Sequence, residues 1–162
     1  MRLLMTFAAL VAGSALAAGS STELATGQLW ELTFTSKDGL STRTSVRLTN
    51  PVPPAPDAGD APGVQFYNLE DLFSGGWLVL VPSQGQLDAT LMGMNSLQCF
   101  TSWQADATVS KGYFLRGTVD SNRQLLTAAA QRATTLEPPS RAQVLDSLKP
   151  LSNGTCTIKR LR

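Results

Sequence analysis

Along much of the chain apolar and polar side chains alternate with period two, the spacing by which a strand buries one face and wets the other. From Gln28 to Thr35, Trp30, Leu32 and Phe34 share one face while Glu31, Thr33 and Thr35 take the other. From Thr42 to Thr49, Thr44, Val46 and Leu48 point inward and Arg43, Ser45 and Arg47 outward. Between these strands Ser36-Lys37-Asp38-Gly39 supplies an Asp-Gly pair, which accepts positive φ and closes a hairpin. Trp77 to Val81 is apolar throughout and predicts a strand covered on both faces. After a turn at Pro82-Ser83-Gln84-Gly85, the returning strand from Gln86 to Met92 places Leu87, Ala89 and Leu91 together. Beyond Gly93 and Asn95, Leu97, Cys99, Thr101 and Trp103 share a face.

The last third is less uniform. Tyr113 to Asp120 aligns Tyr113, Leu115, Gly117 and Val119, and Ser121-Asn122 predicts a tight turn after it. Residues 123 to 135 fit two descriptions, since Leu125, Leu126, Ala129 and Ala133 suit a helix whereas Thr127, Thr134 and Thr135 are poor helix formers. Following a strand and a turn, this segment is expected to be another strand. Ser140 and Gln143 make a capping box, and Val144, Leu145 and Leu148 follow at helical spacing until Pro150. That predicts one short helix, then a final strand from Thr155 to Leu161.

Asn50 to Gly63 interrupts the pattern with five of the nine prolines and reads as an extended loop within one domain. The expected fold is all-β: a single barrel or two-sheet sandwich of about eight antiparallel strands over residues 18–162, with one short helix near the C-terminus. The early Trp30, the strand count, the late helix and the strand after it resemble lipocalin-like barrels in architecture. That family's Gly-x-Trp opening stands here as Gly27-Gln28-Leu29-Trp30, one residue longer. The resemblance implies a barrel and carries no function, because one fold hosts many.

Composition adds an address. Arg2, the apolar run Leu3 to Gly13 broken only by Thr6, and small-x-small Ala15-Leu16-Ala17 make a cleavable export signal over residues 1–17. Cleavage falls between Ala17 and Ala18, and the apolar run is too short for a transmembrane span. Losing 17 of 162 residues leaves 145, with 12 basic and 12 acidic side chains, so no nucleic-acid partner is expected. A secreted or periplasmic location makes the two cysteines, Cys99 and Cys156, an expected disulfide.

The absence of histidine removes Ser-His-Asp and Cys-His catalysis and histidine-ligated metals, and no lysine completes Ser-x-x-Lys. No catalytic residue, metal or cofactor is therefore assigned. Asp57 and Asp60 lack the spacing of a calcium loop, and a hydrolase built on Glu70 with Asp71 or Asp88 is the weakest reading. Asn153-Gly154-Thr155 matches a glycosylation acceptor. Aromatic residues are the remaining candidates: Trp77, Trp103 and Tyr113, with Trp30, Phe34 and Phe66, are expected either to fill the core or to line a cavity for a small lipophilic molecule. The leading expectation is a non-enzymatic exported protein holding such a ligand. Its rival is an envelope interaction module acting on a protein partner through its surface and the proline-rich loop.

Overall fold

The computed structural model describes residues 23–53, 63–70, 75–133 and 137–162. Eight strands form a closed antiparallel barrel in chain order: β1 (Leu29–Ser36), β2 (Ser41–Pro51), β3 (Gln65–Glu70), β4 (Gly76–Val81), β5 (Gln86–Leu91), β6 (Ser96–Ser102), β7 (Val109–Gly117) and β8 (Gly154–Arg160). β8 closes on β1, with Leu32 opposite Ile158 and Phe34 opposite Cys156. Closure leaves no free sheet edge. The predicted hairpin forms, its turn held by the Gly39 amide on the Ser36 carbonyl and the Ser36 amide on the Leu40 carbonyl.

The alternation read along the chain sets what fills the barrel. Leu32, Val46, Leu48, Leu78, Leu80, Leu87, Ala89 and Ile158 are at most 1% exposed and form one interior cluster with Trp30, Phe34 and Phe114. Each such aliphatic side chain contributes up to about 1.5–3 kcal/mol by leaving water. Across β8, β1 and β2 the outer face is polar, with exposed Arg43, Ser45, Arg47 and Lys159.

The observed elements depart from the expected ones at the end of β2, at β3 and after β7. The strand Gln65–Glu70 carries no earlier prediction, because Phe66 and Tyr67 are adjacent bulky residues on opposite faces and hide the alternation. Gln65, Tyr67 and Leu69 pair with Leu80, Leu78 and Gly76 on the inward side. The expected strand at 123–135 and the turn at Ser121-Asn122 are instead a helix, α1 (Val119–Ala133). Thr118 starts it: its Oγ1 accepts from the Ser121 amide at 3.1 Å. Val119, Asn122, Leu126, Ala129 and Ala133 recur every three or four residues and are covered, whereas Thr127 faces solvent, where its weak helix propensity costs only tenths of a kcal/mol, of order ~0.5. Residues 134–136 lie outside the described residues, as do residues 1–17, where an export signal was expected, and 54–62 of the proline-rich stretch. Asn50 and Pro51 still belong to β2.

The helix expected after Ser140 is present as α2 (Arg141–Leu148), with both hydrogen bonds of its capping box. Together α1 and α2 cover the outside of β6 and β7 through Phe100, Leu115, Ala129, Leu145 and Leu148. Asn122, 1% exposed, donates from Nδ2 to Ser96 Oγ at 3.4 Å and ties α1 to the start of β6.

Cys99 and Cys156 are bonded, as expected. They lie on β6 and β8, which are two strands apart, with β7 between them. In a flat sheet such positions stand roughly 9–10 Å apart, yet the Cα–Cα distance is 5.9 Å. The sheet is therefore folded sharply at β7, and Gly112 permits it. A Cβ there would lie 1.9 Å from the Phe100 carbonyl oxygen, so only glycine lets the backbones approach this closely.

Candidate functional site

The two ends of the barrel differ. At the end where β1 begins, the preceding segment folds across the opening: Leu24 is 5% exposed within the interior cluster, and Gln28 Nε2 donates to the Glu23 carbonyl at 3.0 Å. Gln28 Oε1 in turn accepts from Trp30 Nε1 at 3.2 Å. Trp103, just past β6 at the same end, packs on the interior cluster and donates its amide to Gly85. This end is plugged.

The other end carries the β1–β2 hairpin turn and the β5–β6 connection. Here a cavity of about 390 Å³ is lined by Phe34, Leu97, Phe114, Arg116, Leu40 and Asp38, with Ser36, Thr42 and Asn153. Its apolar wall comes from strand register. Phe34, Leu97 and Phe114 all occupy inward positions, and the rings of Phe34 and Phe114 meet edge to face with centroids 5.5 Å apart. Directly across the ladders, Phe114 faces Cys99 and Phe34 faces Cys156, so the disulfide buttresses the aromatic floor. Five large apolar side chains are exposed among the described residues, and three of them, Leu40, Met92 and Met94, sit on the loops at this end. Apolar exposure concentrated at one opening marks a binding surface more than scattered exposure does.

Asn153 organises the rim. Its Oδ1 accepts from the Arg116 amide at 2.7 Å, its amide donates to the Phe114 carbonyl, and its carbonyl accepts from the Lys37 amide. This network accounts for Asn153 within the glycosylation-like triplet. Asp38 is exposed, and its carboxyl is held below the ordinary value by Ser36 Oγ first and by the Leu40 amide second. Its charge is committed to the turn.

The three aromatic residues singled out earlier do not converge. Trp77 lies on the outer face of β4, edge to face with Phe66 at 6.2 Å; Tyr113 lies on the outer face of β7 against the helix-covered cluster; Trp103 belongs to the plugged end. Tyr113 does line a second concavity of about 530 Å³ between α2 and the β7–β8 face, with Lys111, Leu145, Asp146, Thr155 and Thr157. The hairpin-end residues were missed because nothing local distinguishes Leu97 or Arg116; only closure of the barrel brings them beside Phe34.

Of the carboxylates named earlier, Glu70 and Asp88 lie among the described residues. Glu70 is exposed at the end of β3, and Asp71, Asp57 and Asp60 are outside the described residues. Asp88 is buried on the outer face of β5 and held by the Arg141 guanidinium, by Gln86 Nε2 at 2.7 Å and by the Thr101 amide at 3.1 Å. Burial pushes its carboxyl up, against the pull of Arg141 and then of the hydrogen bonds from Thr101 and Gln86. Arg141 also donates from Nε to the Thr101 carbonyl at 3.0 Å, which latches α2 onto the barrel wall.

No family model, curated protein or solved structure matches this chain.

Proposed function

We propose that this is an exported, non-enzymatic binding protein that takes a small apolar ligand into the hairpin-end mouth of its barrel. The observation that carries the reading is the cavity of about 390 Å³ floored by the Phe34–Phe114 pair and Leu97, at the one end of the barrel that the segment before β1 does not plug. Its volume falls in the range of small-molecule sites, roughly 300–1,000 Å³. A rigid apolar floor with a few polar groups at the rim is the usual composition of such sites. Export is supported by the signal-like residues 1–17, with a cleavage point between Ala17 and Ala18, and by the Cys99–Cys156 bridge.

The test is titration with a neutral fluorescent apolar probe, N-phenyl-1-naphthylamine. Saturable one-to-one enhancement is expected in the parent protein, lost in Leu97→Glu, which places a charge on the half-buried floor, and retained in Tyr113→Ser, which alters the α2 concavity instead. Enhancement that follows Tyr113 and ignores Leu97 would move the site to that concavity. No saturable binding would end the reading.

A further inference from the structure

The mouth holds a cation, Arg116, that makes no ion pair among the described residues, although the Asp38 carboxylate shares the lining. Arg116 stands at the end of β7 on the inward register, opposite Leu97 and two residues beyond Phe114. Its amide is fixed by Asn153, so the base of the side chain is positioned while its guanidinium remains exposed at the rim. Arg43, Arg123 and Arg141 are engaged in ion pairs, with Glu31, Asp120 and Asp88, whereas Arg116 makes none among the described residues. Lys37, the other cation near this rim, donates its ammonium to the Pro150 carbonyl at 3.3 Å. Asp38, the acidic residue of the lining, accepts from Ser36 Oγ.

We propose that the ligand of this mouth is an organic anion: a compact apolar body seated on Phe34, Leu97 and Phe114, with one carboxylate, sulfonate or phosphate group held by Arg116. The inference rests on the mouth being the binding site, and it adds the chemical class. Guanidinium presents planar paired donors that match such anions. An anion seated beside an aromatic floor sheds part of its water, so its attraction to Arg116 exceeds that of a pair on open surface. A neutral ligand would leave the guanidinium without a partner and gain only the apolar contact. A cationic ligand would meet repulsion.

The experiment compares two probes with one skeleton, neutral N-phenyl-1-naphthylamine and anionic 1-anilinonaphthalene-8-sulfonate, at low and high salt on the folded protein. The sulfonate is expected to bind more tightly by about tenfold at low salt, the size of one charge-assisted hydrogen bond. Added salt should erode that advantage while sparing the amine. Arg116→Gln should remove the advantage, so that the two probes bind that variant alike, whereas Arg116→Lys should keep part of it. Equal binding of the two probes by the parent protein, or equal loss of both in Arg116→Gln, would overturn the anion assignment and leave the mouth standing as an apolar site. Failure of both probes to bind would overturn the mouth itself.

Discussion

Removing the Cys99–Cys156 bridge probes the fold and the mouth at once. The bridge joins positions 57 apart in sequence, and confining the unfolded chain by a loop of that size is worth about 4 kcal/mol on the chain-entropy model. Reduction without mutation should therefore lower the unfolding free energy by about 4 kcal/mol. The double variant Cys99→Ala, Cys156→Ala should lose about 1–2 kcal/mol more, because the two sulfur atoms leave positions that are 0% and 2% exposed. At roughly 2–4 °C per kcal/mol for a domain near this size, the melting temperature should fall by about 10–20 °C. Urea unfolding followed by tryptophan fluorescence, with and without reductant, gives the first figure directly. The probe affinity of reduced, still folded protein should fall as well, since Phe34 and Phe114 stand across the ladders from the bridged residues. A loss below about 1 kcal/mol on reduction would refute the reasoning. It would mean that the sharp fold at Gly112 holds without the bridge.

Two further outcomes concern the latch between α2 and the barrel. Arg141→Met should cost about 3–5 kcal/mol in urea unfolding, because it leaves Asp88 charged and buried, while adding Asp88→Leu should recover most of that loss; equal loss in single and double variants would show that the pair is dispensable. The Asp88 carboxyl is raised by burial, so its stabilising contribution is present below the unfolded value of about 3.9 and is lost as pH rises through the folded value. Relative to Asp88→Asn, the parent protein should then gain stability as pH falls from 7 toward about 4, and the opposite trend would show that Arg141 outweighs burial.

Most of the barrel was legible in the sequence because its inward positions obey period two, most clearly in β1 and β2, whereas in β5 and β6 the outward Asp88 and Phe100 are buried as well. What defeated the reading was competition between levels. Strand β3 escaped because Phe66 and Tyr67, on opposite faces, look like one apolar step beside a proline-rich stretch. Helix α1 escaped because the threonines at 127, 134 and 135 were weighed by propensity, whereas the Thr118 cap and the covered series from Val119 through Ala133 decide the outcome. Eight strands were thus expected for partly wrong reasons, one missing and one false.

The site was less legible than the fold for a geometric reason. Trp77 and Tyr113 are conspicuous by size, but β-register turns both outward, and Trp103 serves the plugged end. Leu97, Phe114, Arg116 and Phe34 come from three strands, with Phe34 more than 60 positions away from the others, and meet through closure of β8 onto β1. The disulfide pairing was readable, since two cysteines allow one connectivity. Its position behind the aromatic floor was not.

Backbone amide mapping of bound N-phenyl-1-naphthylamine by two-dimensional NMR tests the central claim most directly. Shifts concentrated at Phe34, Leu40, Leu97, Phe114, Arg116 and Asn153 are expected, with Trp77 and the α2 concavity around Tyr113, Leu145 and Thr157 unmoved. Shifts confined to that concavity, or to the outer Phe66–Trp77 face, would contradict it.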